Sequence, residues 1–181
     1  MSQPNLNLSG QYVTLRNIEP DDLEPLRNWR NRSPYRQFFR EYRDITPAMQ
    51  QSWYDNTVLT DERVHMFAIT DKVSGRLLGA CGLCYIDPRN RSADFSIYLG
   101  ADDLYIDKKY APDTGRLLLH YGFETLHLHR IWAEIYAIDT AKQQLLPALG
   151  FTLDGRHREA HRLDDGNWTD CLFYGMLASE V

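Results

Sequence analysis

The last third of the chain constrains its fold most strongly. His129-Arg130-Ile131-Trp132-Ala133-Glu134-Ile135-Tyr136 has the alternation and the β-branched and aromatic content of a strand, which is placed over residues 130–136. Asp139-Thr140-Ala141-Lys142 then opens an amphipathic stretch that ends at Leu149-Gly150-Phe151. Segments 151–162 and 168–177 read as the arms of a hairpin turned at Asp164-Asp165-Gly166. A strand, a helix and a closing hairpin in this order predict a sheet packed against helices.

The rest of the chain supplies the remainder of that sheet. Tyr12-Val13-Thr14-Leu15-Arg16 alternates and predicts a first strand. Pro20-Asp21-Asp22 opens a helix with acids in its first turn and a stripe of Leu23, Leu26 and Trp29-Arg30; Ser33-Pro34 ends it. Thr46 as N-cap and Pro47 at the first helical position start a second helix, which carries Met49 and Trp53. Three strands at short spacing follow, over residues 65–70, 77–86 and 93–100. The period then changes to 3.6 for a helix that begins near Pro112 and carries Leu117, Leu118, Tyr121 and Leu126. The predicted fold is α/β, one mixed sheet in the order β-αα-βββ-α-β-α-ββ, within a single domain spanning residues 1–181.

A net charge of −5 and a pI of about 5.6 leave no general basic face for nucleic acid or an anionic membrane. No apolar run approaches the roughly 20 residues that span a bilayer. Residues 1–7 lack the charged and apolar regions of a signal peptide, so the expected location is cytoplasmic. Three cysteines, an odd number, suit a reducing compartment.

Cys81 and Cys84 have CxxC spacing, but on a strand positions three apart face opposite ways, so both read as packing residues. His157, Glu159 and His161 share a face on an ideal strand, yet their HxExH order is not a zinc-protease motif. No metal is expected. Arg36, Arg40 and Arg43 stand among Phe38, Phe39 and Tyr42, a composition suited to phosphate and base stacking or to an acidic peptide.

The element order and the two signatures of the last third resemble the GNAT superfamily of acyl-CoA-dependent N-acetyltransferases, in the branch of the ribosomal-protein N-terminal acetyltransferases. Gly10 to Arg16 resembles the family's opening strand, and Leu78-Gly79 and Asp87 to Asn90 its middle hairpin. Ala93-Asp94-Phe95-Ser96-Ile97-Tyr98-Leu99-Gly100 resembles the family strand that usually reads Ala-Glu-Ile-Gly-Tyr. The resemblance implies that this strand splays from the next parallel one and that acetyl-CoA lies in the gap, pairing with exposed backbone. Tyr98, Leu99, Gly100, Asp139 and Lys142 would then line the co-substrate. Trp29-Arg30-Asn31 resembles a motif of members that act on nucleotide-linked amino sugars.

The chain departs from the family in two places. The phosphate loop, usually Arg/Gln-x-x-Gly-x-Gly/Ala, reads Ile106-Asp107-Lys108-Lys109-Tyr110-Ala111. Lys108, Lys109 and Ala111 are its remaining candidates for phosphate contact, with Asp113 adding negative charge nearby. The family's proton-donating Tyr falls at Leu146, and a branch-specific Ser at Lys142.

Amine acetylation needs a proton acceptor near the splay, and Asp94 and Glu134 are the acids of the two central strands. Tyr136 and Tyr174, with Tyr98, are candidate proton donors. Trp29, Arg30, Arg40 and Arg43 are the candidate acceptor-binding residues, the segment between the first two helices forming a lid. The expected partner is a small-molecule amine, either a nucleotide-linked amino sugar or a similar compound, with a protein N-terminus as the alternative. A homodimer is left open. A fold that has lost catalysis and binds a ligand or partner is the reading from another class.

Overall fold

The computed structural model describes residues 7–33 and 35–181. Pro34, expected to end the first helix, and residues 1–6 lie outside the described residues. The elements run β1 (Asn7–Ser9), β2 (Val13–Asn17), α1 (Leu23–Arg30), α2 (Pro47–Trp53), β3 (His65–Asp71), β4 (Leu77–Asp87), β5 (Ser92–Leu99), α3 (Tyr110–His120), β6 (Arg130–Tyr136), α4 (Thr140–Ala148), β7 (Thr152–Arg162) and β8 (Trp168–Leu177). Eight strands make one mixed sheet in the order β1-β2-β3-β4-β5-β6-β8-β7. This is the predicted α/β order with one addition, the short strand β1, which pairs antiparallel with β2.

Both faces of the sheet are covered, so its central strands are apolar on both sides. In β3, Phe67 and Ile69 point into the larger core, beneath Leu118 of α3 and Leu145 and Leu146 of α4. Met66 and Ala68 point the other way, against Leu23 and Leu26 of α1 and Tyr54 and Val58, which follow α2. Cys81 and Cys84 obey the same alternation: Cys81 belongs to the first core and Cys84 packs on the second.

All neighbouring strands pair antiparallel except β5 and β6. A parallel pair needs a crossover connection, and α3 supplies it. The β5–β6 ladder joins only Ser92 to Arg130, Ala93 to Ile131 and Asp94 to Trp132. Beyond Asp94 the two strands part while each keeps its outer neighbour, β4 or β8.

Thr46 caps α2 as expected, its Oγ1 accepting the Met49 amide at 3.2 Å. The helix expected near Pro112 opens two residues earlier, at Tyr110, because the Asp107 carboxylate accepts the Ala111 amide at 2.8 Å and leaves Pro112 inside the first turn. Nor does Asp113 face a phosphate loop. Buried, it accepts the backbone amides of Gln11, Tyr12 and Val13 at 3.2, 2.7 and 3.1 Å and pins the start of β2 to α3. A Cβ at position 10 would stand 2.6 Å from that carboxylate, so Gly10 is what lets the turn approach it. Asp113→Ala strands three amides that met a charged acceptor. It is expected to lower stability by about 3 kcal/mol, read as a reduced midpoint in urea unfolding with the slope unchanged.

Candidate active site

The parting of β5 and β6 opens one side of a cavity of about 420 Å³ that runs under the segment joining α1 to α2. Asp94 stands at the last paired position, and Glu134 two residues beyond Trp132 on β6; both line the cavity. Leu146, where a tyrosine was looked for, is buried on the cavity wall.

Strand alternation sets which backbone groups face the gap. The Gly100 amide donates to the Leu78 carbonyl at 2.8 Å, on the β4 side, so Tyr98, Ser96 and Asp94 turn their backbone the same way. Phe95, Ile97 and Leu99 turn theirs toward β6. The Leu99 amide is taken by the Tyr105 carbonyl at 2.8 Å, which closes the far end of the gap. Phe95 and Ile97 therefore present the backbone of the open edge. Gly100 is enclosed rather than exposed: its carbonyl accepts from Arg32 at 3.1 Å, and the Trp29 ring lies where a Cβ would be.

The mouth of the gap is tied by a buried hydrogen bond. Tyr105 donates its hydroxyl to Asp139 Oδ2 at 2.6 Å, and Asp139 Oδ1 caps α4 by accepting the Lys142 amide at 3.0 Å. Burial beside the Asp139 carboxylate holds the Tyr105 hydroxyl protonated, well above its ordinary range. Tyr35 stacks on Tyr105 at 5.1 Å, with Phe38 at 5.0 Å and Phe39 at 6.1 Å, so the lid segment packs on this one ring.

Residues 29–31 end α1 about 100° apart around its axis and serve three purposes. Trp29 packs on Gly100. Arg30 lines the cavity over the Phe39 ring at 4.6 Å. Asn31 clamps the far end of the lid: it donates to the Ile45 carbonyl at 2.9 Å and accepts its amide at 2.8 Å.

The four arginines of the lid segment each meet a carboxylate, Arg32 pairing with Asp103 at 2.8 Å. Arg36 pairs with Asp44. Arg43 pairs with Glu41 at 2.7 Å, exposed and outside the cavity lining. Arg40 reaches in and bridges both site acids, at 2.8 Å to Asp94 and 3.3 Å to Glu134, while lying over the rings of Tyr85 and Trp132. Burial pushes the Asp94 carboxyl up to about 6, with Arg40 restraining the rise. Burial also pushes the Cys84 thiol up to about 12, which keeps it an inert wall of the cavity.

The structure thus brings Asp94, Glu134, Tyr98, Arg30, Arg40 and Lys142 together around one cavity. It does not bring Tyr136 or Tyr174 there. Tyr136 stacks on His161 at 3.8 Å, and Tyr174 lies in the core beneath α3 and α4. His157 packs on Phe173 instead of sharing a site with His161, because the β7 register shifts between them and Glu159 takes a positive φ of 49°. Tyr105 and Tyr85 escaped sequence reasoning, since aromatic residues on strands and loops look like packing until their neighbours are known.

A family model described as an acetyltransferase (GNAT) domain matches residues 13–152. The chain belongs to that family. It is 25% identical over 172 residues to an uncharacterized N-acetyltransferase, p20, of Bacillus licheniformis, covering 94% of this chain and 95% of that one. It is 26% identical to YdaF of Bacillus subtilis, named as a candidate ribosomal N-acetyltransferase, covering 94% and 93%. Among solved structures, a spermidine N-acetyltransferase from Vibrio cholerae in complex with CoA and spermine superposes with a TM-score of 0.83 at 24% identity, covering 93% and 96% of the two chains.

The residues fit an acetyl-CoA molecule unevenly. The open edge at Phe95 and Ile97 suits an extended amide-bearing arm. The start of α3 suits a pyrophosphate less well. Its Ala111 amide is capped by Asp107, Pro112 has no amide, Lys109 lies over Tyr12 and Tyr110, and Lys108 is exposed. Asp107→Gly removes a resident anion from this helix start. It is expected to tighten CoA binding about fivefold, or about 1 kcal/mol, in calorimetric titration.

Proposed function

We propose that this protein moves an acetyl group from acetyl-CoA to the primary amine of a small molecule. The observation that carries the reading is the meeting of two features at Asp94: the open edge of β5 and the cavity under the lid. Acetyl-CoA supplies an activated thioester carbonyl, and the CoA in the Vibrio cholerae structure of the same fold supports it as donor. The backbone edge at Phe95 and Ile97 orients that carbonyl. Asp94, with a proton affinity close to neutral, accepts the proton that the amine gives up as its nitrogen bonds to the carbonyl carbon, and the C–S bond then breaks with CoA leaving as its thiolate. Arg40 holds Asp94 in place and balances its charge, and Glu134 in turn anchors Arg40.

A lidded cavity of about 420 Å³ favours a small amine over a protein N-terminus. Nucleotide-linked amino sugars belong to that class, through the Trp29-Arg30-Asn31 resemblance. Free cysteines at positions 81, 84 and 171 suit the cytoplasm. The Asp107 cap favours one other reading, a fold kept for binding after catalysis was lost, and failure to bind CoA at millimolar concentration would support it.

A carboxylate base works only when ionised, so kcat/KM for acetyl transfer is expected to fall as pH drops through about 6. Asp94→Asn should abolish that acidic limb and lower kcat/KM about 100-fold. An acidic limb that survives unchanged in this variant assigns the base elsewhere.

A further inference from the structure

The cavity holds more charge than the acetyl transfer uses. Four of its lining acids have partners: Asp94 and Glu134 meet Arg40, Glu41 meets Arg43, and Asp61 meets Arg63. Two of its lining cations have none. Among the described residues, the side chains of Arg30 and Lys142 form no hydrogen bond and no ion pair, and Arg30 Nε is fully buried without a partner. The two lie against the same ring, Arg30 at 4.6 Å and Lys142 at 5.9 Å from the centre of Phe39. Asp139 and Asp94 favour the charged Lys142, but burial outweighs them and Arg30 opposes it as well, so its ammonium is held below the ordinary range. Two unpaired cations against one ring in a cavity are costly, and an anion that meets both reduces the cost.

The cavity therefore carries two unlike groups of charge. Around Tyr85 and Trp132 stand two carboxylates with Arg40. Around Phe39 stand two unpaired cations. Resting on the acetyl-transfer reading, we propose that the acceptor carries an anionic group, a carboxylate or a phosphate, which Arg30 and Lys142 bind while its amine lies at Asp94. The same geometry disfavours a polyamine as the acceptor, because an additional ammonium group placed at Phe39 would meet these cations.

Matched acceptors test this with acetyl-CoA as donor: O-phosphoethanolamine against ethanolamine, and 4-aminobutyrate against butylamine, with spermidine as the polyamine. The expected result is at least about a tenfold higher kcat/KM for one anion-bearing member over the twin that lacks the anion. The pair showing the preference tells phosphate from carboxylate. In Arg30→Met and Lys142→Met that preference is expected to shrink to about threefold or less, while Arg30→Lys keeps part of it. Thermal melts establish that the variants are folded, and the comparison of twins on the unaltered protein does not depend on them. Equal rates for the twins, or a preference for spermidine, would overturn the anion site and leave the acetyltransferase reading standing. Absence of acetylation with every amine, together with no calorimetric binding of CoA, would instead sink the acetyltransferase reading and this inference with it.

Discussion

Everything in this molecule that bears on chemistry depends on the parting of two parallel strands. After Asp94 and Trp132, β5 and β6 stop sharing hydrogen bonds, although each continues as a well-formed strand against its other neighbour. Unpaired backbone inside a protein is unfavourable, so such a gap persists only where the flanking structure holds it open and something can fill it. Here α4 begins behind the gap, Tyr105 donates to Asp139 across its mouth, and the lid packs on Tyr105 from the other side. The sheet supplies a rigid frame, and the aromatic cluster supplies the roof.

Charge is distributed over this frame with an economy that explains the lid. An arginine-rich lid over a pocket looks like an anion reader, yet each of its four arginines is neutralised by a neighbouring carboxylate. Arg40 holds two buried-edge acids together and thereby limits how far burial can raise the proton affinity of Asp94. The unpaired cations come instead from α1 and α4, elements that the sheet and lid fix in place. Rigid placement matters here, because an unpaired cation on a mobile loop would find water rather than a ligand.

Legibility in the sequence followed how local each signal was. The bounds of β6 and β8 match their predicted limits, since turn residues flank both alternating runs. The strand β1 was missed because three residues with a single apolar side chain, Leu8, carry no period. The start of α3 was placed too late because Pro112 marks a first turn, while the Asp107 cap that opens the helix looked like loop substitution. Asp94 and Glu134 were legible as acids interrupting apolar strands. Tyr136 shares the Glu134 face but stands one full alternation, about 7 Å, further along, where β7 covers it with His161. The shared ring of Arg30 and Lys142 was illegible, because only folding brings α1 and α4 to Phe39.

The central claim is that the edge of β5 beyond Asp94 receives the co-substrate as a strand would. Amide hydrogen exchange followed by NMR, with and without saturating CoA, tests it most directly. Protection of the Phe95 and Ile97 amides by about tenfold or more on adding CoA, with amides of β2 and β3 unaffected, is the predicted result. Unchanged exchange at Phe95 and Ile97 under the same conditions would contradict the account.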